Sequence, residues 1–397
     1  MTDVLHANDT TLHDLAHYGL SADRGFLSLH EIDEVALPPD FVEIEAAGGW
    51  LPDLLTTGRV RHWLDKLPTP DMQRFLAGAG EAELIAAMVR YSFLTQAYVW
   101  GEADPSHRLP ANLAVPFVGI ADALGVPPVM NYAGYVLDNW VRIDKAGPIV
   151  FENLAMHQHF AGGRDEAGFV LTHVAIEAAA GPALDLAVDI ARAAEARDAM
   201  AAEAMLHDLA MVWRAICAIF DRMTERCDPV FYFNRIRPYL NGWQDNPAIP
   251  EGMVYEGVGR FAERPIAMRG QTGSQSSIVP AMDALFGVTH ERDELRAFLE
   301  DLHRYRLPRH RAFIEDLAAA STLRAFARNT GSGLKDAFNT AIQAVAEFRT
   351  MHLRFAATYI ANQAPTSAGN DPNVGTGGTP FMKYLKKHRN ETERQML

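Results

Sequence analysis

Residues 334–362 read LKDAFNTAIQAVAEFRTMHLRFAATYIAN and lie near the C-terminal end of a chain of 397 residues. Apolar or small side chains recur in this stretch at Phe338, Ile342, Val345, Ala356 and Tyr359. That spacing is typical of one face of an amphipathic helix. The stretch is therefore predicted to be a long helix, and the rest of the chain is expected to pack on its apolar face.

Two polar side chains, Arg349 and His352, interrupt this apolar face. Because they are three residues apart, they lie on the same side of the helix. A buried arginine needs an anionic partner, and a haem would supply a propionate for the guanidinium and an iron for the imidazole. The alternative is a core histidine with a satisfied hydrogen bond, which is the commoner arrangement. Helix spacing alone leaves both interpretations open.

The composition excludes several classes of protein. With 48% hydrophobic and 22% charged residues, the chain is typical of globular proteins. Its formal charge of -14 argues against nucleic acid or an anionic membrane as a main partner. No apolar run approaches the roughly 20 residues that span a bilayer. The polar, acidic start of the chain does not resemble a secretory signal.

The two cysteines, Cys217 and Cys227, form no CxxC pair. No disulfide is needed, so a cytoplasmic location is expected. The CxxCH motif of covalent haem attachment is also absent from the sequence, so a haem in this protein would be haem b, held non-covalently.

Helical periodicity recurs along the whole chain, and no convincing alternating strand pattern accompanies it. The predicted fold class is therefore all-α, with at most a minor β-hairpin in the N-terminal part. The polar stretch 144–148 is the predicted boundary between two domains. Residues 1–145 would form a small helical N-terminal domain, and residues 146–397 a large helical domain.

Local patterns give four further predictions. Residues 109–116 are predicted to be a loop and residues 129–140 a helix. Residues 184–226 contain no Gly or Pro and are predicted to form one long helix of a bundle. Residues 244–277 contain many Gly and Pro and are predicted to be a long structured loop, a feature that is often functional.

Six short motifs follow one another along the chain. They are LPANLAVP at 109–116, YAGYVLDNW at 132–140, YFNRIRPYLNGW at 232–243, QSS at 275–277, RTMH at 349–352 and GTGGT at 375–379. Together they resemble the indoleamine 2,3-dioxygenase family, in its order and with about its spacing. The resemblance is clear from about residue 90 to the C-terminus.

The resemblance implies a fold and a reaction. The large domain would enclose haem b, the small domain would cover the distal side of the haem, and the glycine-rich stretch 363–380 would be an active-site loop. The protein would be an oxidoreductase that uses O2 to cleave the C2–C3 bond of the indole ring. Its substrate would be L-tryptophan or a close analogue, and its product N-formylkynurenine. An external reductant is expected to keep the haem ferrous.

The resemblance also assigns residues. His352 is similar to the proximal iron ligand and Arg349 to a propionate partner. Arg237 resembles the arginine that pairs with the substrate carboxylate, and Thr379 would contact the ammonium and carboxylate end of the substrate. The side chains expected to line the indole pocket are Tyr132, Phe169, Tyr232 and Phe233.

Two positions depart from the pattern of the animal enzymes. In the predicted helix 169–180, His173 stands where those enzymes have a serine, and Tyr232 replaces a phenylalanine. A distal histidine is typical of the related tryptophan 2,3-dioxygenases. His173 is the predicted catalytic residue: it would accept a hydrogen bond from the indole N–H or donate one to bound oxygen, and the first role is preferred. The alternative is a core histidine bonded to a backbone carbonyl.

Two other functions stay open at this point. A haem enzyme of secondary metabolism would insert a single oxygen or rearrange the indole ring. A non-catalytic protein would carry haem or sense a gas. Arg237 and Thr379 argue against the second, because a gas sensor needs no group that anchors an amino acid.

Overall fold

The computed structural model describes residues 11–291, 293–365 and 370–397. Residues 366–369 of the predicted glycine-rich loop lie outside the described residues. Within the described ranges the fold is all-α, as predicted, with seventeen α-helical segments. They are α1 Val42–Gly49, α2 Leu51–Thr56, α3 Val60–Leu64, α4 Met72–Gly78, α5 Glu81–Trp100, α6 Ala111–Leu124, α7 Gly163–Ala179, α8 Gly181–Glu195, α9 Ala199–Asp221, α10 Met223–Arg226, α11 Pro229–Phe231, α12 Ile278–Phe286, α13 Glu294–His303, α14 Pro308–Ala320, α15 Leu323–Asn329, α16 Ser332–Ala356 and α17 Phe381–Glu393.

The predicted central helix is α16, and it continues as a π-helical turn, Ala357–Ala361. It packs along α9 and also against α17. Its apolar face is buried through Phe338, Ile342 and Val345, each at most 1% exposed. Full burial of such side chains contributes about 1.5–3 kcal/mol each. This packing fixes the direction in which the polar residues of the same helix point.

Four short strands complete the regular structure of the described residues. β1, Arg108–Leu109, pairs in parallel with β4, Val254–Tyr255. β2, Trp140–Arg142, pairs antiparallel with β3, Leu154–Met156. The predicted domain boundary at 144–148 lies in the connection between β2 and β3, so a strand from each predicted domain takes part in one pairing. The division into two domains stays a prediction.

The prediction of a helix over residues 129–140 is wrong. This stretch forms a π-helical turn, Ala133–Leu137, and then enters β2. The backbone N–H of Tyr132 donates to Oε1 of Gln275 at 2.8 Å. Tyr132 is the N-cap of this turn, so its N–H has no acceptor within the helix, and a side chain distant in sequence accepts it.

The prediction of one helix over residues 184–226 is also wrong, because the chain breaks into α8, α9 and α10. Arg197 adopts a φ of 55°, in the left-handed region that ends helices. Asp198 then caps α9 by accepting a hydrogen bond from the backbone N–H of Ala201 at 3.0 Å. The break therefore rests on a cap and not on a glycine or proline.

Two loop predictions have different outcomes. Part of the predicted loop 109–116 is helical, because α6 begins at Ala111 and includes Pro116. The carbonyl of Pro110 accepts the N–H groups that open this helix. Residues 244–277 are confirmed as a long loop, with only β4 and short 3-10 turns in them.

No helix within the described ranges combines the length and the apolar character that crossing a bilayer requires.

Candidate functional site

A cavity of about 520 Å³ lies between α7, α12, α13, α16, α17 and the loop that precedes α12. Four of the residues predicted from the sequence line it, namely Tyr132, His173, Arg349 and His352. The other five do not line it: Phe169, Tyr232, Phe233, Arg237 and Thr379. The two histidines that the sequence singled out, 179 positions apart, therefore share one cavity.

His352 reaches the cavity from α16. Neither of its ring nitrogens has a hydrogen-bond partner among the described residues. Burial lowers the pKa of His352 to about 4, with smaller contributions from His173 and Arg349. The imidazole is thus neutral near pH 7, the form that ligates a metal. No cluster of three or more His, Cys, Asp or Glu in the described ranges could hold a metal ion, so this lone imidazole suits a haem iron better than a zinc ion.

Gly273, in the loop before α12, keeps space open beside His352. A Cβ atom on Gly273 would lie 3.8 Å from Nε2 of His352. That distance is an ordinary van der Waals contact, so a side chain at position 273 would pack against the imidazole, whereas glycine leaves the space beside Nε2 open.

Arg349 has a protein partner, which corrects one premise of the sequence argument. Its guanidinium donates to Oδ2 of Asp283 in α12 at 2.5 Å and to the backbone carbonyl of His388 at 3.3 Å. Burial alone would raise the pKa of Asp283, but Arg349 and His290 hold it below its usual value. The Nε of Arg349 is buried without a partner among the described residues. Arg349 therefore needs no external anion for neutrality, yet retains a donor for one.

A polar cluster that the sequence argument missed borders the same cavity. His290 contacts Glu391 of α17 through Nδ1 at 2.6 Å and Asp283 through Nε2 at 3.4 Å. Burial opposes protonation of His290, but the two carboxylates raise its pKa. His388 lines the cavity with its Nε2 unpartnered, and burial lowers its pKa to about 3. These residues come from α12, α17 and the loop after α12, so helix spacing could not bring them together.

His173 lies on α7, among aromatic rings. Its Nδ1 is 2.8 Å from the carbonyl oxygen of Phe169. Since a carbonyl only accepts, Nδ1 carries the proton and Nε2 is left as an acceptor. Burial lowers the pKa of His173. The rings of Phe169 and Tyr132 lie 4.6 and 6.3 Å from the imidazole, centroid to centroid. A hydrogen bond to a backbone carbonyl is the one expected of a core histidine, but here it leaves Nε2 without a partner among the described residues.

Tyr132 is held at the cavity wall by a buried carboxylate, Glu177, one turn beyond His173 on α7. Oε1 of Glu177 accepts hydrogen bonds from the hydroxyls of Tyr132 at 3.0 Å and Ser276 at 2.7 Å. Its Oε2 has no partner among the described residues. Burial raises the pKa of Glu177 to about 7, against the lowering effect of these hydrogen bonds and of Arg306. The sequence analysis did not predict this role of Glu177.

The other predicted pocket residues form the packing behind His173. The rings of Phe169 and Tyr232 lie 4.4 Å apart, centroid to centroid, and Tyr232 packs edge-on to Tyr359 of the central helix. Phe233 lies under the guanidinium of Arg237, with 5.3 Å from Cζ to the ring centroid. This aromatic wall lies next to the cavity without lining it.

Arg237 is 1% exposed and is bonded to the C-terminal loop. Its guanidinium donates to Oδ1 of Asn370 and to the carbonyl oxygen of Val374. Burial lowers the pKa of Arg237, and its Nε has no partner among the described residues. The arginine predicted to bind a substrate carboxylate therefore donates to two neutral oxygen acceptors of this loop.

Thr379 lies in the same loop and is 9% exposed. Its carbonyl accepts the N–H groups of Gly375 and Phe381, both at 2.8 Å, whereas its hydroxyl has no partner in the described part of the chain. The hydroxyl of Thr376 is bonded to the carbonyl of Gln271. Of the two threonines in GTGGT, Thr379 thus has the free hydroxyl.

Comparison with known proteins agrees with this arrangement. The family model described as indoleamine 2,3-dioxygenase matches residues 14–395. Indoleamine 2,3-dioxygenase 1 of Rattus norvegicus is 34% identical over 397 residues, covering 96% of each chain. The 6-hydroxytryptophan 2,3-dioxygenase fscD of Fusarium equiseti is 30% identical, covering 96% of this chain and 98% of its own. A protein named myoglobin from Haliotis madaka is 28% identical, with the same coverage.

Proposed function

The chain belongs to the indoleamine 2,3-dioxygenase family, whose members are haem-dependent oxidoreductases, and from this premise we propose its reaction. The protein uses O2 to open the indole ring of L-tryptophan, or of a close analogue, between C2 and C3 and forms N-formylkynurenine. Its cofactor is haem b, and an external reductant keeps the iron ferrous. The observation that carries the proposal is that His173 and His352 share one cavity and each has a ring nitrogen free.

The residues of the cavity fit haem b. His352 would ligate the iron, because its imidazole is neutral and free of hydrogen bonds. Arg349 would bind a propionate through its unpartnered Nε while it keeps its contact with Asp283. Gly273 leaves room next to His352. When bound, haem b supplies the iron chemistry by which O2 reacts with the electron-rich C2–C3 bond of indole.

His173 would orient the substrate. Its Nε2 is an acceptor, because Nδ1 is committed to the carbonyl of Phe169. An indole N–H that donates to this nitrogen fixes the ring in the plane and at the depth that ring opening requires. The aromatic wall behind the imidazole, with Phe169 and Tyr232 in contact, keeps His173 in one position.

Arg237 and Thr379 would bind the amino-acid end of the substrate. Arg237 now bonds Asn370 and Val374, both neutral acceptors. A carboxylate is a stronger acceptor for a guanidinium and is able to take two of its N–H groups at once. Substrate binding would therefore exchange these loop contacts for a bidentate ion pair, with the free hydroxyl of Thr379 nearby in the same loop.

Two relatives define the alternatives. The relative named 6-hydroxytryptophan 2,3-dioxygenase supports a hydroxylated indole as the substrate of this chain. The relative named myoglobin supports a haem protein without ring-opening activity. Against the second alternative stands Arg237, a buried cation whose contacts in the described residues are all neutral hydrogen-bond acceptors or a ring.

Product analysis tests the proposal. The haem-loaded protein, reduced with ascorbate, is incubated with ¹⁸O2 and tryptophan or 6-hydroxytryptophan, and the products are analysed by mass spectrometry. Dioxygenation adds two labelled atoms to the substrate. One labelled atom would mean a monooxygenase. Reversible O2 binding with no product from either substrate would mean an oxygen carrier.

A further inference from the structure

A second cleft, of about 710 Å³, opens on another face of the helix that carries His173. Thr172, Ala175 and Ala179 of α7 line this cleft, whereas His173 faces the first cavity. The other walls are residues 22–24, the loop between β2 and β3, and the ends of α9 and α10. A ligand in this cleft would rest directly on α7.

Close backbone contacts fix one wall of the cleft. A Cβ atom on Gly25, which has a φ of +59°, would lie 2.4 Å from the carbonyl oxygen of Glu177. A Cβ atom on Gly181 would lie 2.1 Å from the carbonyl oxygen of Ala22. Only glycine allows such approaches, so the N-terminal segment is held against the junction of α7 and α8. The cleft is therefore formed before any ligand arrives, which reduces the entropy cost of binding.

The middle of the cleft is apolar. Its lining side chains there are Ile149, Val150, Ala175, Ala178, Pro182 and Ile219. Val150 is 42% exposed, although large apolar side chains are usually buried. These walls favour the flat or aliphatic body of a small molecule over a strongly hydrated ion.

Two arginines at one end of the cleft share a single carboxylate oxygen. Arg226 and Arg222 contact Oε1 of Glu152 at 2.8 and 3.3 Å. The side chain of Arg226 is only 10% exposed, whereas that of Glu152 is 62% exposed. Cζ of Arg226 lies 3.3 Å from the ring centroid of Phe151. The largely buried guanidinium of Arg226 thus has as its partner one oxygen of a solvent-exposed carboxylate, and it shares that oxygen with Arg222. The other N–H groups of Arg226 have no partner among the described residues.

The other end of the cleft places three cations around one buried carboxylate. Arg142 and Arg24 approach Oε1 of the fully buried Glu31 at 2.5 and 3.8 Å, and Lys145 contacts its Oε2 at 2.6 Å. At the first end, which Arg222 and Arg226 form, Glu225 also contacts Arg222 at 3.3 Å. Asp33, which contacts Lys145 at 2.6 Å, and Asp23, which lines the cleft, bring the cleft as a whole close to neutral. At the first end Arg222 has two carboxylate partners, whereas the largely buried Arg226 has only Glu152 and keeps N–H groups that no described residue accepts.

We propose that this cleft binds a small organic carboxylate with an apolar body. The carboxylate would pair with Arg226 and Arg222, and the body would lie along the apolar walls against Ala175. The ligand would be an organic acid of aromatic or branched aliphatic type. This site is separate from the haem cavity and does not depend on the function proposed above.

Isothermal titration calorimetry of the haem-loaded full-length protein with 1-naphthaleneacetate tests the site. The acid should bind in saturable fashion, and its amide, which lacks the charge, should bind at least tenfold more weakly. Arg226→Gln should raise the Kd of the acid at least tenfold. Arg222→Gln should raise the Kd by a similar factor. Because the side chain of Arg222 is 51% exposed, its replacement should not impair folding, so this variant tests the site even if Arg226→Gln fails to fold.

Two further variants serve as controls. Arg108 also contacts two carboxylates, Glu256 and Glu263, at the surface, so Arg108→Gln should leave the Kd unchanged. Arg237→Leu alters the proposed substrate site and should also leave it unchanged. Three results would overturn the proposal: equal binding of acid and amide, no saturable binding of either, or an acid affinity that depends on Arg237 and not on Arg222 and Arg226.

Discussion

Arg349 in α16 and Asp283 in α12 form an ion pair, 2.5 Å from Nη2 to Oδ2, in the wall of the cavity that His352 also lines. Their side chains are 9% and 17% exposed, so water screens the pair weakly. Nε of Arg349 and Oδ1 of Asp283 are both buried without partners among the described residues. The pair is therefore neutral but incompletely bonded, and a propionate would find a donor already in place.

Asp283→Asn should destabilise the haem-free protein by about 3–5 kcal/mol, because it leaves a buried guanidinium without its anion. The loss should be smaller in the haem-loaded protein, since a propionate would replace the carboxylate. Urea unfolding of both forms measures the difference. Asp221→Asn is the control: Asp221 pairs with Arg354 at the same distance, 2.5 Å, but with side chains more than half exposed, so its loss should be about 1 kcal/mol or less. Equal losses in the two haem states would remove the propionate role of Arg349.

Replacement of two histidines of the cavity, His352 and His388, should have different effects on haem. His352→Ala should abolish the Soret band while the helical content, measured by circular dichroism, is largely retained. His388 lines the same cavity, and its pKa is also lowered by burial, yet His388→Ala should keep the band. If the band survives in the first variant and disappears in the second, His388 is the iron ligand and the assignment made here is wrong.

Glu177 should make stability depend on pH. Its pKa in the folded protein is raised to about 7 from an ordinary value of 4.5. The folded state therefore retains a proton that the unfolded state has lost, so this contribution to stability is complete below pH 4.5 and disappears as pH rises through about 7. The difference amounts to roughly 3 kcal/mol. Urea unfolding between pH 5 and 8 should show a weaker decline in Glu177→Gln than in the wild type, and the exposed control Glu43→Gln should show no change.

Arg237→Leu should separate substrate binding from packing. A lost charge-assisted contact is worth roughly 1.5–3 kcal/mol, or about ten- to a hundred-fold in KM for an amino-acid substrate. Indole, which has no carboxylate, should be affected much less. Arg235→Leu is the control, because its exposed side chain has no role in the proposed site. If KM rises equally for both substrates, Arg237 serves only to hold Asn370 and Val374.

The sequence predicted the parts of this protein that depend on one helix. The face of α16 is buried through Phe338 and Ile342 as its periodicity indicated, and His352 reaches a cavity. The class of fold also follows from periodicity, since helix patterns dominate the described chain. These properties are local, and a single helix contains all the information they require.

The sequence could not predict contacts between distant elements. The premise that Arg349 lacked a protein anion failed because Asp283 is 66 positions away and on a different helix. The break at Arg197 is followed by the cap of Asp198, and the N–H of Tyr132 is bonded to the side chain of Gln275, 143 positions away. Such partners are chosen by tertiary packing, which overrides local helix preference.

The hydrogen bond of His173 to the carbonyl of Phe169 determines which group the imidazole can bind in the active site. It fixes the proton on Nδ1 and leaves Nε2 able to accept but not to donate. An acceptor suits the indole N–H, whereas bound oxygen would require a donor. 1-Methyltryptophan has no N–H, so it would leave this nitrogen unpaired and place a methyl group against it.

The kcat/KM of the wild type should therefore be lower for 1-methyltryptophan than for tryptophan by roughly 5- to 150-fold, which corresponds to about 1–3 kcal/mol. His173→Ala should lose activity on tryptophan and narrow that ratio, because the hydrogen bond and the steric clash disappear together. The Soret band should persist, since the proposed iron ligand, His352, is unchanged. If His173 instead donated to oxygen, the variant would slow both substrates alike and speed autoxidation of the ferrous protein. Steady-state kinetics on both substrates decide between the two roles. If the ratio of the two kcat/KM values is the same in His173→Ala and in the wild type, His173 does not accept a hydrogen bond from the indole N–H.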